Sequence, residues 1–148
     1  MRTPGSSSSS FRVLVVGVVL LFASAGAGCG GAMRADELGR SVEALGSAAA
    51  EGALIARDVA EDRTKTTFVR ARTRELGEAV EHEAEKLSDA DANGRVAVAK
   101  ARAVELAGRI SEALGELQTS PADAAAAARA EDALTRLADD ASRLAEDA

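Results

Sequence analysis

The sequence predicts an all-α protein, an antiparallel up-down-up-down four-helix bundle. Ala, Leu, Glu and Arg dominate from about Asp36 onward, β-branched residues are sparse, and Pro121 is the only proline after residue 28. Apolar residues also recur every three or four positions, and short segments of capping residues divide the chain into rods of similar length. Equal rods joined by short turns favour a bundle, and the alternative is an elongated coiled coil that oligomerises.

Three segments carry a regular apolar stripe that steps by three and four residues, a pattern typical of helices packed at shallow angles. The first stripe comprises Leu38, Val42, Leu45, Ala49, Gly52, Ala56 and Val59. The second comprises Val96, Ala99, Ala103, Leu106, Ile110, Ala113 and Leu117. The third comprises Ala127, Ala130, Leu134, Leu137, Ala141, Leu144 and Ala148. Between the first two, the apolar residues Val69, Leu76, Val80 and Leu87 follow the pattern less strictly.

Breaks between the stripes predict helices near residues 35–62, 65–88, 94–118 and 121–147. The first break is Asp62-Arg63-Thr64. Either Ser88-Asp89-Ala90-Asp91, typical of a capping box, or the turn signal Asn93-Gly94 marks the second. At the third, Ser120-Pro121-Ala122-Asp123 predicts a Ser cap, proline at the first helical position and an acid in the first turn.

Small residues are unusually frequent on the predicted stripes. Ala48 to Ala50, Gly52 and Ala53 form a smooth patch on the first helix, and Ala124 to Ala128 form another on the last. Small side chains permit close helix approach but bury little area each. We expect a tightly spaced seam inside the monomer, and the alternative is a docking face for a partner helix or a second copy.

The first 28 residues follow the pattern of an export signal. Arg2 and Arg12 precede an apolar stretch from Val13 to Ala23, and small residues then lead to Cys29, the only cysteine. The apolar stretch is short for a membrane span. The predicted organisation is a signal peptide at 1–28, a tether at 29–34 and a single helical bundle domain at 35–148.

The segment Gly26-Ala27-Gly28-Cys29 resembles the lipobox of bacterial lipoproteins, although Gly26 stands where the family has a Leu-like residue. The rest of the chain resembles small helical lipoproteins of GC-rich bacteria. The resemblance implies that Cys29 is acylated, so that the exported protein is held at the outer face of the cell membrane by its lipid. The alternatives are a secreted protein cut after Ala27 and an uncleaved anchor.

Composition excludes several kinds of partner. The net charge is −6, and removal of residues 1–28, which contain Arg2, Arg12 and no acid, brings it to −8. This acidity argues against nucleic acid and against electrostatic attachment to anionic lipid. Phe68 is the only aromatic residue after residue 28, and Trp and Tyr are absent, which disfavours stacking and cation-cage sites.

Catalytic and metal-binding patterns are lacking. The only histidine, His82, shares a helical face with Glu78 and Glu85, but no second histidine or Glu-x-x-His spacing completes a metal site. We interpret this region as a solvated acidic face. With no phosphate loop and no nucleophile elbow either, we expect no enzyme, no metal and no cofactor.

Charges are segregated around the first predicted turn. Asp58, Glu61 and Asp62 end the first helix, whereas cations begin the second: Arg63, Lys65, Arg70, Arg72 and Arg74. Both arrangements oppose the helix dipole. We expect the two groups to pair across the hairpin and fix its register.

The alternative for this turn is a recognition tip. In it, Arg63, Lys65, Thr66 and Arg70 hold an anion or the acidic motif of a partner. Phe68 would then be a contact residue, although we expect it to be the first core residue of the second helix.

These observations favour a non-catalytic, membrane-tethered helical lipoprotein of the cell envelope that acts as an interaction or structural module. Its partner would be another envelope protein or a second copy of itself. The alternative function is a small-molecule or lipid-binding lipoprotein with the ligand between its helices.

Overall fold

A computed structural model describes residues 32–147, and within them the chain forms four α-helices and no strand. The helices are α1 (Ala35–Ala60), α2 (Thr66–Asp89), α3 (Gly94–Thr119) and α4 (Ala124–Asp147). They pack as an antiparallel up-down-up-down four-helix bundle, which confirms the predicted fold class. The predictions for the signal segment and for Cys29 lie outside the described residues.

Helix α1 contacts all three other helices, and its interface with α4 is the most extensive in the bundle. The interface of α2 with α3 comes next, whereas α2 and α4 lie on opposite sides and do not touch. Antiparallel α1 and α4 are joined by Arg57, whose Nε lies 2.7 Å from Oε1 of Glu131. Helices α3 and α4 are joined by Arg129 and Glu116, whose Nη2 and Oε1 are 3.0 Å apart.

The core is built from the predicted stripes. All seven stripe residues of α1 are buried, and so are the stripe residues of α4 up to Leu144. The stripe of α3 is buried from Ala103 onward, but Val96 and Ala99 are only partly buried. The larger side chains with almost no exposed surface include Leu38, Leu45, Leu87, Ile110, Leu114, Leu117 and Leu134.

Two glycines allow α1 to approach its neighbours closely. A Cβ placed on Gly46 would lie 3.0 Å from Cβ of Ala141 on α4. A Cβ on Gly52 would lie 2.8 Å from Leu114 Cδ2 and 3.1 Å from Leu134 Cδ1. The small residues of α1 therefore form a seam inside the monomer, as expected, although Ala50 is exposed.

The second turn settles the boundary that the sequence leaves open. Ser88 and Asp89 belong to the last turn of α2, and Asn93 is the N-cap of α3. Gly94 has φ +57°, a left-handed conformation that favours glycine. Lys100 of α3 donates from Nζ to the carbonyl oxygen of Ala90 at 2.7 Å, so a cation satisfies the end of α2.

The chain enters the bundle at this same end. The backbone N–H of Met33 donates to the carbonyl oxygen of Asp91 at 2.7 Å. The side chain of Met33 is buried in the core. Residues 32–34 are thus attached to the α2–α3 turn, and the α1–α2 and α3–α4 turns lie at the opposite end.

The predicted start of α4 is wrong by three residues. The helix begins at Ala124, and Oδ1 of Asp123 accepts hydrogen bonds from the N–H groups of Ala125 at 2.9 Å and Ala126 at 3.0 Å. Asp123, rather than Ser120, is therefore the capping residue. Ser120 begins a turn in which its carbonyl oxygen accepts from the Asp123 N–H at 3.1 Å, and Pro121 takes the second position that proline favours.

Capping makes Asp123 more acidic. The hydrogen bonds from the N–H groups of Ala126 and Ala125 stabilise the ionised carboxylate and lower the pKa of Asp123 below its ordinary value. Ionised Asp123 therefore stabilises the folded chain, and protonation weakens the cap.

Glycine-to-alanine substitutions test the close packing of α1. Gly46→Ala should lower the free energy of unfolding by about 1 kcal/mol, because overpacking against α4 outweighs the gain in helix propensity. Gly39→Ala on the same helix is the matched control, since its Cβ would meet nothing within 4 Å. It should raise the free energy of unfolding by about 0.5–1 kcal/mol. Urea unfolding measures both, and an equal gain from both changes would contradict the close approach.

Acid titration of stability tests the cap on α4. At pH 7, Asp123→Ala should melt several degrees below the wild type. Because the folded pKa of Asp123 is lowered, its contribution is complete above the ordinary value of about 3.9 and is lost as the pH falls through the folded pKa. The difference in melting temperature should therefore shrink below about pH 4.

Asp123→Asn provides the control, since it keeps a capping oxygen without a charge. Its difference from Asp123→Ala should not change with pH. A constant difference between wild type and Asp123→Ala from pH 7 to pH 2 would show that the carboxylate is not the cap.

Candidate functional site

The candidate site is the tip, which we define as residues 62–70, between the end of α1 and the first turn of α2. It lies at the end of the bundle opposite Met33, where the described chain begins. Helix α1 separates the two ends and contains 26 residues. At 1.5 Å per residue the separation is about 39 Å.

Backbone hydrogen bonds close the C-terminus of α1 in a Schellman motif. The N–H of Arg63 donates to the carbonyl oxygen of Asp58 at 2.8 Å, and the N–H of Asp62 donates to that of Val59 at 3.1 Å. Asp62 takes the left-handed position, with φ 53°. Glycine usually occupies this position, so the tip holds its shape with a strained residue.

Arg63 is engaged by the end of its own preceding helix. Its Nη2 lies 2.8 Å from Oδ1 of Asp58, and its Nε lies 3.2 Å from Oε2 of Glu61. A cation here is favourable because the C-terminal end of a helix is partially negative. Arg63 thus pairs with two of the acids that the sequence analysis assigned to the hairpin, but through a contact within the turn.

A different pair spans α1 and α2. Arg72 Nε lies 2.5 Å from Oε1 of Glu51, and Arg72 Nη1 lies 2.7 Å from Oε2 of Glu75. The hydrogen bond to Glu51, followed by that to Glu75, raises the pKa of Arg72. Within residues 32–147, Arg72–Glu51 is the only ion pair between α1 and α2. Glu51 is not one of the acids, Asp58, Glu61 and Asp62, that the sequence predicted to pair across the hairpin.

The start of α2 is cationic and open. Lys65 is its N-cap residue, makes no side-chain capping hydrogen bond, and is followed by no acid in the first turn. Lys65, Thr66 and Thr67 are all exposed. The first N–H groups of an α-helix have no partner within the helix, so this end can accept negative charge.

Phe68 is not the first core residue of α2, contrary to expectation. Its side chain is 54% exposed, whereas Val69 is fully buried. The buried residues that follow are Thr73, Leu76, Val80 and Leu87. Phe68 precedes this stripe by one residue and is therefore turned about 100° away from it.

The four predicted contact residues do not form one cluster. Arg63 stays with α1, and Lys65 and Thr66 occupy the open helix start. Arg70 instead lies on the side of α2 that faces α3, where a groove is lined by Thr67, Arg70, Ala71, Arg74 and Gln118. The tip thus offers two separate surfaces, one beside α1 and the other beside α3.

Sequence reasoning missed Leu54, which is 58% exposed on α1. The Arg72–Glu51 pair fixes the hairpin register, in which Leu54 is one turn beyond Glu51 and Phe68 one turn before Arg72. Leu54 and Phe68 therefore lie at the same height near the tip. The sequence contains a signal for this exposure. Leu54 lies midway between the stripe residues Gly52 and Ala56, so it is on the side of the helix opposite the stripe.

The other chemical candidates add little to the site. His82 is exposed, and residues 32–147 contain no group of three or more His, Cys, Asp and Glu side chains arranged to hold a metal ion. In the same residues, no helix combines the length and the hydropathy of a membrane span.

Comparison of the chain with protein-family models, with curated proteins and with solved structures finds no match. Function is therefore inferred from the residues and their geometry.

Replacing Asp62 tests the strain stored in the tip. Asp62→Gly should raise the free energy of unfolding by about 1 kcal/mol, because glycine adopts the left-handed conformation without a steric cost. Asp62→Ala removes the same carboxylate but keeps the Cβ and is the matched control. It should not stabilise the fold. Equal stabilisation by both substitutions, measured by urea unfolding, would assign the effect to charge instead of conformation.

Proposed function

We propose that the protein is a non-catalytic helical module of the cell envelope, tethered to the outer face of the membrane through a lipid on Cys29. In this proposal the surface of the tip beside α1, which contains Lys65 and Phe68, binds an acidic surface of another envelope protein. The observation that carries the proposal is the exposure of Phe68 beside the cationic start of α2.

The described chain begins at the end of the bundle opposite the tip. Only residues 30 and 31 separate Cys29 from Ala32 in the sequence, and Met33 is attached to the α2–α3 turn. A lipid on Cys29 would therefore hold the bundle by this end. The polar layer of a bilayer leaflet is only about 5–8 Å deep, so a rod of about 39 Å would carry the tip clear of it.

The tip has the composition of a contact surface. Burying a Phe side chain contributes about 1.5–3 kcal/mol, and aromatic residues are enriched at the centres of protein interfaces. Lys65 lies three residues before Phe68 and hence on the same side of α2, and Leu54 adds a second exposed apolar side chain at that height. An apolar contact flanked by a cation and by free helix N–H groups suits an acidic motif with an apolar anchor.

The packing of the interior favours this role over a ligand held between the helices. At the height of Gly52, leucine methyl groups from α3 and α4 leave no room even for an added Cβ. These methyl groups belong to Leu114 and Leu134, and both side chains are buried. A lipid or small apolar molecule would need space that these side chains occupy.

Cross-linking in the native envelope tests the proposed partner contact. Tagged full-length protein should capture one dominant partner, and Lys65→Ala/Phe68→Ser should reduce that capture about tenfold or more, because a central aromatic anchor is lost. Arg95→Ala/Val98→Ser is the matched control at the start of α3. It removes another exposed cation and another apolar side chain, 57% exposed, with the same spacing.

The two variants should melt within a few degrees of the wild type, since all four side chains are exposed. Equal capture by the tip variant and the control would reject the tip as the binding surface. Mass spectrometry of the N-terminal peptide of the wild-type protein tests the tether separately. An unmodified thiol on Cys29 would reject the lipid.

A further inference from the structure

A second charged surface runs along α2 on the side next to α3. It consists of Arg70, Arg74, Glu78 and Glu81, which we call the charged stripe, and all four side chains are exposed. Their spacing of three and four residues places them on one face of the helix. Within residues 32–147 none of the four forms an ion pair shorter than 4.0 Å. In contrast, the side of α2 facing α1 has its Arg72 paired to two carboxylates.

The charged stripe forms one wall of a groove whose opposite wall, on α3, carries no charge. Arg74, Glu78 and Glu81 line one side of it, and Ser111, Gly115 and Gln118 of α3 line the other. A Cβ placed on Gly77 or on Gly115, both of which also line the groove, would meet nothing within 4 Å. These glycines leave room for another backbone to approach closely.

We propose that the α2–α3 face binds a second copy of the chain, with the two α2 helices antiparallel. The two-fold axis crosses α2 at the height of Leu76. Arg74 and Glu78 are each two residues from Leu76. Arg70 and Glu81 are six and five residues from it. The axis therefore brings Arg74 of one copy opposite Glu78 of the other, and Arg70 opposite Glu81, and each pair occurs twice.

Charge order argues for a second copy as the occupant. Two cations followed by two acids at similar spacing are complementary to the same sequence running in reverse. A two-fold interface requires this self-complementarity, because each residue meets its counterpart in both directions. The chain itself thus supplies the matching surface.

The size of the face is adequate for a dimer. Two neighbouring helices about 36 Å long and about 10 Å wide each present roughly 700 Å² per chain. A standard protein interface buries about 800 Å² per partner. Lys65 and Phe68 lie on the α1 side of α2, so the dimer leaves them uncovered. Because the α2 helices are antiparallel, the Met33 ends of the two copies lie at opposite ends of the dimer. Lipids on both copies would hold this dimer lying along the membrane, and the upright bundle of the proposed function is a single chain.

Charge reversal in two complementary variants tests the dimer. The acidic variant is Arg70→Glu/Arg74→Glu and the basic variant is Glu78→Arg/Glu81→Arg. Two differently tagged full-length chains are co-expressed and one tag is purified. Wild-type chains should co-purify, and each variant should pair with itself at least about tenfold less, because four like charges then face four like charges. The acidic and basic variants should co-purify with each other.

Arg95→Glu/Arg136→Glu is the control for net charge, since it reverses two exposed cations outside the charged stripe. It should co-purify with itself like the wild type. Circular dichroism and melting curves establish that every variant is folded. Undiminished self-pairing of both stripe variants would overturn the proposal. Failure of the folded acidic and basic variants to pair with each other would also overturn it. So would a wild-type protein whose mass in solution stays that of one chain up to about 100 μM.

Discussion

The close approach of α1 to its neighbours is the constraint on which the rest of the bundle depends. The stripes contain many Ala and Gly residues, and burial stabilises by only about 25 cal/mol per Å² of apolar surface. Small side chains can form a stable core only if the helix backbones lie close together. Gly46 against Ala141, and Gly52 beneath Leu114 and Leu134, provide that closeness. As a result α1 touches every other helix, and the core has no room for an added Cβ at Gly52.

Helix α2 is the helix least enclosed by its neighbours. It does not touch α4, and its core contribution is limited to five buried residues: Val69, Thr73, Leu76, Val80 and Leu87. Its link to α1 through Arg72 and Glu51 is an exposed ion pair, which fixes register more than it adds stability. Both proposed contact surfaces lie on α2 because the packing of α1 against α3 and α4 leaves this helix exposed on two sides.

Apolar periodicity predicted the fold because it reflects which side of each helix must be buried. Local signals were less decisive. Ser120 and Asp123 are both residue types that favour an N-cap. Because α3 continues to Thr119, the chain turns at residues 120–123 before α4 begins, and Asp123 is the residue that caps it. Hydrophobicity alone suggested that Phe68 is buried, but the position of Val69 in the α2 stripe turns it outward. The pairing of Arg72 with Glu51 depends on the offset of the two helices, which the sequence does not encode locally.

Both proposed contact surfaces contain cations near the N-terminus of α2. A positive charge near a helix N-terminus is unfavourable, and within residues 32–147 ion pairs form at Arg63 and Arg72 but not at Lys65, Arg70 or Arg74. An acidic surface bound at either site would offset this cost. Lys65 and Phe68 lie on one side of the helix and Arg70 and Arg74 on the other, so both sites can be occupied together. Exposed ion pairs hold a dimer weakly, and the antiparallel arrangement adds a constraint, because it puts the two Met33 ends at opposite ends of the dimer. A dimer held by lipids on both copies would therefore lie along the membrane, whereas a single tethered chain would stand upright.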